Sequence, residues 1–364
     1  MHGHAPDPGF WRGRRVFLTG HTGFKGAWLT VLLHRLGAVV TGYSLAPVPA
    51  PSLYELAGTG ALLAGEHIAD IRDADRLASA LVASRADTVL HLAAQALVRE
   101  SYRDPLETFS TNVMGTANLL EAVRRAGEQV RAVVVVTTDK CYENAETGRA
   151  YRESDPLGGH DPYSASKACA EIVTQSMRRS FFGPAGAACG IASARAGNVI
   201  GGGDFATDRL VPDFVRARVA DRVMAIRNPA AVRPWQHVLE PLNGYLLLAE
   251  RLAGPVVADF AEAWNFGPDL EACVPVERLV SLAESDWPGK PVVRVARDGE
   301  PHEATLLMLD TGKAQARLDW RPRWSLEETI AETLAWYRAW HEGGDPLAAC
   351  REQIDAYLGD GKKG

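Results

Sequence analysis

The chain has 364 residues, 46% hydrophobic and 23% charged, with a formal net charge of -6 at pH 7. That length supports a large core and one main domain carrying a smaller one, and the mildly acidic balance gives no reason to expect nucleic-acid or membrane-surface binding. Five cysteines, Cys141, Cys169, Cys189, Cys273 and Cys350, lack C-x-x-C spacing. This argues against a disulfide framework or a structural zinc site and fits a reduced cytoplasm. No signal peptide is expected in the first residues, and no stretch is apolar for long enough to span a bilayer.

The first element is an apolar strand, Arg15-Val16-Phe17-Leu18-Thr19, which runs into Gly20-His21-Thr22-Gly23-Phe24-Lys25-Gly26 and then an amphipathic stretch, Ala27 to Leu36. Strand, glycine-rich turn and helix in this order form a phosphate-binding device: the turn is sharp, backbone approaches a pyrophosphate closely, and the helix start offers free N–H groups. The spacing is G-x-x-G-x-x-G, which departs from the G-x-G-x-x-G of ordinary dinucleotide dehydrogenases. Gly20, His21, Gly23, Phe24, Lys25 and Gly26 are the candidate cofactor residues here. For His21 and Lys25, approach to the pyrophosphate and simple solvation are both open.

Val39 to Leu45 reads as the second strand. It lacks the terminal acid that usually binds the adenine ribose, and Ser44 stands in that region, so NAD and NADP are not separated locally and Lys25 is a candidate for a 2′-phosphate. Further strands are expected at His67 to Asp70, Thr88 to Ala94, Ala132 to Asp139 and Gly190 to Val199, with helices at Asp104 to Arg125 and Pro162 to Phe181. The run Ala132-Val133-Val134-Val135-Val136 is apolar throughout, as expected of a parallel strand covered on both faces. The alternation predicts an α/β fold: a Rossmann-type doubly wound parallel sheet, with ligands at the carboxyl ends of the strands. Regularity fades after about Gly201. The expected division is 1–200, mainly cofactor-binding, and 201–350, a smaller mixed substrate-binding domain, with some segments returning to the first.

Tyr163 and Lys167 stand four apart on the Pro162 helix, so both point the same way. A phenol ionises near pH ~10, and beside a fixed ammonium it can serve as a base at neutral pH. Upstream, a strand ends in Thr137-Thr138-Asp139-Lys140, which brings an acid close in sequence order to that pair. A diphosphate calls for guanidinium and amide donors, and Asn198, Arg209 and Arg233 are the candidates.

With these landmarks the chain resembles the extended short-chain dehydrogenase/reductase superfamily from Arg14 to about Trp340. Gly20 to Gly26, Asp139-Lys140-Cys141-Tyr142, Arg195 to Asp204 and Arg233 to Pro241 together resemble its nucleotide-sugar dehydratase family, in particular the CDP-glucose 4,6-dehydratases. The resemblance implies a hydro-lyase that takes CDP-glucose to CDP-4-keto-6-deoxyglucose with NAD reduced and reoxidised in each turnover. It also implies a cytoplasmic homo-oligomer, a dimer or tetramer, serving deoxysugar biosynthesis of the O-antigen or lipopolysaccharide kind. The implied catalytic set is Thr138, Asp139, Lys140, Tyr163 and Lys167. Asp139 would be the acid for the departing C6 hydroxyl. Lys140, where the dTDP-glucose enzymes carry a glutamate, would be either the C5 base or a stabiliser of the enolate. Asp70, Ile71, Ala93, Ala94, Gln95 and Asn112 are the further cofactor candidates, and His302, beside Glu303, matches a run near the nucleotide. A nucleotide-sugar 4-epimerase and a non-catalytic NAD(H) sensor are the alternatives. The epimerase has no elimination to perform and so no use for the acid.

Overall fold

The computed structural model describes residues 3–47, 51–145, 148–182, 189–226, 228–294 and 307–359. Its centre is a seven-stranded parallel sheet, built from β1 (Arg15–Thr19), β2 (Val39–Ser44), β3 (Gly65–Ile68), β4 (Thr88–His91), β5 (Ala132–Val136), β6 (Gly190–Ala196) and β7 (Ala263–Phe266). The spatial order is β7-β6-β5-β4-β1-β2-β3, every neighbouring pair parallel. The order reverses between β1 and β4. That reversal opens a crevice at the carboxyl ends of the strands, where a doubly wound sheet binds its ligand.

Alternation along each central strand divides the core between two faces. Val16, Leu18, Val134 and Val136 join one buried cluster, which includes Trp28 and Leu29 of α1 (Phe24–Arg35) and Leu242, Tyr245 and Leu246 of a helix at Leu239–Leu252. Phe17, Val133 and Val135 join the other, with Leu77, Leu81, Leu119 and Val123. Each such valine contributes about 1.5–3 kcal/mol by burial, so the strands that aim the site are also among the strongest parts of the core. The helix at Pro162–Phe181, here α2, starts with Asp161 accepting from the Ser164 amide and has proline in its first turn.

β1 and β4 are clamped at the point of reversal. Thr19 Oγ1 lies 2.7 Å from His91 Nδ1 and accepts from the amides of Leu92 and Ala93, both at 3.2 Å. Burial holds His91 neutral, at about 3, and its other ring nitrogen faces Thr116 Oγ1 at 3.2 Å. The clamp fixes the chain leaving β4, whose Ala93 and Ala94 line the crevice.

The strands end earlier than the sequence pattern predicts: β4 at His91, β5 at Val136 and β6 at Ala196, while β3 is Gly65–Ile68. The residues beyond those ends leave the ladder and wall the crevice, so their apolar character reflects cleft and turn packing. The helix expected from Asp104 to Arg125 runs as Pro105–Phe109, a π turn at Ser110–Met114, and Gly115–Ala126. No helix among the described residues is long and apolar enough to cross a membrane.

Candidate active site

The crevice encloses about 710 Å³. At its first edge, Gly20 takes a φ of +77° and a side chain there would strike the Ala93 amide at 2.7 Å. A Cβ on Gly26 would come within 2.0 Å of the Gly20 carbonyl oxygen, so the turn closes only with glycine at both places. α1 begins at Gly23 without a side-chain cap, which leaves its first amides turned toward the crevice.

Phe24 and Lys25 line the crevice, but His21 does not. Its ring is fully buried, bonds Glu66 at 2.8 Å, and sits so close over Gly42 that a Cβ there would meet it at 2.6 Å. The expectation that this side chain reaches a pyrophosphate is corrected: β2 carries a glycine opposite it, and the imidazole fills that gap. The charges acting on Lys25 are those of Arg209, Lys167, Asp139 and Asp204, which place it toward the reaction end of the crevice. Burial, with help from those cations, lowers its amine to about 8. Ser44, by contrast, is held by Thr22 at 2.8 Å, and Thr22 donates on to the Leu45 carbonyl.

Asp70 and Ile71 line the crevice, the Asp70 carboxylate paired with Arg72. Gln95 and Asn112 lie behind the wall. Asn112 accepts from the Gln95 amide at 2.8 Å and donates to its carbonyl at 3.0 Å and to Ser166 Oγ at 2.8 Å. Both residues brace the loop after β4, with the π turn carrying Asn112 into that position.

At the reaction end, Thr138 caps a short turn at Asp139–Cys141, its Oγ1 accepting from the Lys140 amide and donating to Asp139 Oδ1 at 3.0 Å. Asp139 is buried, and its Oδ2 has no hydrogen-bond partner among the described residues. Burial raises its carboxyl above the ordinary range, against the pull of Lys140, the Thr138 hydroxyl, Arg233 and Lys25. Burial shifts this carboxyl toward its protonated form, the direction an acid in the crevice needs. Lys140, half-buried, lines the same wall.

Tyr163 and Lys167 arrive from the first turns of α2. Burial pushes the Tyr163 phenol up to about 12; the Thr138 hydroxyl, in hydrogen-bond reach, and the Arg209 charge act the other way. Lys167 is turned to the Val136 carbonyl at 3.2 Å, and burial lowers its amine to about 8. The expected ammonium-phenolate partnership is thus not the dominant local force on Tyr163.

Asn198, Arg209 and Arg233 all line the crevice, Arg209 paired with Asp204 at 2.8 Å. His302 and Glu303 lie outside the described residues. Two side chains that sequence reasoning passed over join the wall, Asp204 and Arg99, the latter 3.5 Å from Asp208. Asp204 had a legible signal as the last residue of the Arg195 run; Arg99 had none.

The family model for GDP-mannose 4,6 dehydratase matches residues 17–333. The chain is 48% identical to the CDP-glucose 4,6-dehydratase of Salmonella typhimurium over 97% of its own length and 98% of the relative's. It is 33% identical to a dTDP-glucose 4,6-dehydratase of Streptomyces antibioticus over 75% of the chain and 77% of the relative. Among solved structures, the dTDP-glucose 4,6-dehydratase of Streptomyces venezuelae, with NAD bound, superimposes with a TM-score of 0.75 at 26% identity, covering 92% of this chain and 99% of that one. The chain belongs to the GDP-mannose 4,6 dehydratase family of the extended short-chain dehydrogenase/reductases.

Proposed function

We propose that the protein is a CDP-glucose 4,6-dehydratase that uses NAD, releasing CDP-4-keto-6-deoxyglucose and water. The observation that carries the reading is Asp139, a buried carboxyl with an unpartnered oxygen in the same crevice as Thr138, Tyr163 and Lys167. A 4-epimerase has no leaving group to protonate there. Near-complete coverage of the Salmonella relative supports the choice of sugar nucleotide.

The residues present fit NAD. The Gly20–Gly26 cradle, closed to any side chain, and the uncapped start of α1 suit a pyrophosphate. Ser44 bonded to Thr22, Asp70 occupying the Arg72 guanidinium, and Lys25 facing the reaction end together favour NAD over a cofactor with a 2′-phosphate. When bound, NAD would supply a two-electron store that is filled by oxidation at C4 and emptied by reduction at C6 in each turnover.

In this reading Tyr163 takes the proton of the sugar C4 hydroxyl, and Thr138 hydrogen-bonds the same oxygen. Oxidation at C4 acidifies the C5–H bond. Lys140 removes that proton, while Asp139 passes its own to the C6 hydroxyl, which leaves as water. Arg209, Arg233 and Asn198 hold the diphosphate, and the region after Gly201 supplies the nucleotide-sugar half of the crevice. The enzyme works in the cytoplasm, and its 4-keto-6-deoxy product feeds deoxysugar synthesis for surface polysaccharide. A second copy of the chain is the expected partner, since Leu106, Met114 and Ile172 expose apolar side chains on helices that pack side by side.

The test is incubation with CDP-glucose and NAD, followed by the alkali-induced absorbance of a 4-keto sugar. CDP-galactose as the product would make the protein an epimerase, and no turnover at all would favour a sensor.

A further inference from the structure

We infer that Glu171 and Arg195, paired beneath the reaction end of the crevice, are positioning residues that anchor the Thr137–Asp139 segment to α2 and β6 and hold a carboxylate one helical turn from Lys167; the inference rests on the reaction proposed above. Glu171 follows Lys167 by one turn of α2, and both members of the pair are 3% exposed. Its Oε2 accepts from Arg195 Nη2 at 2.8 Å and from Ser193 Oγ at 2.6 Å, and its Oε1 accepts from Thr137 Oγ1. Thr137 immediately precedes Thr138 and Asp139, so one carboxylate ties together α2, β6 and the strand end that carries the proposed acid.

The network continues away from the crevice. Arg195 Nη1 donates to the Tyr142 hydroxyl at 2.7 Å, its guanidinium lies 4.8 Å from the centre of that ring, and Tyr142 donates to Asn265 Oδ1 on β7 at 2.7 Å. Asn265 Nδ2 in turn donates to the carbonyls of Tyr151 and Asp310. A fully buried ion pair brings little net stability over an apolar filling of the same volume, because both charges lose their water. Geometric specificity next to the chemistry is the better account of this one.

Burial would raise the Glu171 carboxyl, yet Arg195 and the hydroxyls of Ser193 and Thr137 hold it below its ordinary value, so it carries its charge. That charge also acts on Arg178 of the same helix and on Cys141. Around Lys167 the other titratable groups are Cys141 from the turn after β5, His91 from β4 and Lys25 from α1. Glu171, ahead of Cys141, is the strongest influence that favours the protonated form of Lys167 against burial.

The sign follows directly. Lys167 acts as an ammonium, so turnover falls as pH rises through its value near 8. Glu171→Gln, close to isosteric, removes the carboxylate, and the alkaline limb of kcat should move down by about one pH unit with KM for CDP-glucose nearly unchanged. Glu171→Asp keeps the charge and should return the limb most of the way. Since the single change strands Arg195, Glu171→Gln combined with Arg195→Met serves as the folded control, and the lowered limb should persist in it. Competitive labelling of the Lys167 amine against pH, quantified by mass spectrometry, reads the same shift without turnover. A wild-type limb and wild-type labelling in Glu171→Gln would overturn the inference, as would equal losses in the Gln and Asp variants with no pH shift. Failure of the wild-type protein to turn over CDP-glucose would instead remove the proposed reaction, and the labelling would still decide the role of Glu171.

Discussion

Replacing Asp139 with asparagine separates the two halves of the proposed reaction. The side chain is 2% exposed, one oxygen accepts from Thr138 at 3.0 Å, and the other has no partner among the described residues. Asparagine keeps the shape and the Thr138 contact, and it relieves the burial of a titratable carboxyl, so the fold should survive. What disappears is the proposed acid for the C6 hydroxyl. Positioned proton transfer contributes 10²–10⁴-fold, so elimination should slow by that factor, about 2.7–5.5 kcal/mol of barrier, while C4 oxidation continues. In a single turnover, reduced-nicotinamide absorbance should rise on mixing with CDP-glucose and persist while 6-deoxy product lags. A joint slowing of oxidation and elimination with no such build-up would refute the assignment and leave Asp139 a positioning role.

Lys140→Arg keeps a cation that cannot accept a proton, so wash-in of solvent deuterium at C5 should be nearly abolished, and brisk exchange would rule out lysine as the C5 base. Gly26→Ala should weaken NAD binding at least tenfold in a fluorescence titration, because the added Cβ would stand 2.0 Å from the Gly20 oxygen; unchanged affinity would show that the turn can open at no cost. Glu240, 1% exposed, is pushed up to about 7 by burial despite hydrogen bonds from Tyr357, Trp324 and Arg323. Its folded value lies above its unfolded one, so the stability it contributes is present below about 4.5 and is lost as pH rises through about 7, about 3 kcal/mol in all. Denaturant unfolding at about pH 5 and about pH 8 should show a smaller decline in Glu240→Gln than in the wild type, and equal slopes would contradict this.

Much of this arrangement is determined by local sequence. Alternating apolar strands and amphipathic helices encode a parallel sheet because a strand covered on both faces must be apolar throughout, as Ala132–Val136 is. The glycine turn is local at Gly26, whose Cβ would strike Gly20 of the same short loop, whereas Gly20 is required by Ala93, brought alongside by the chain leaving β4. Tyr163 and Lys167 share a helix face by periodicity. Contacts between distant segments were decided only by tertiary structure. His21 left the crevice because Gly42, on the neighbouring strand, makes room for its ring, and Asn112 became a brace because a π turn aims it at the loop after β4. Glu171 had a visible signal, four residues beyond Lys167, but its partner Arg195 lies 24 residues away on β6. The protonation tendencies of Asp139, Tyr163 and Lys167 likewise depend on burial, which no spacing in the chain expresses: it arises only when strands and helices remote in sequence close over the same few atoms.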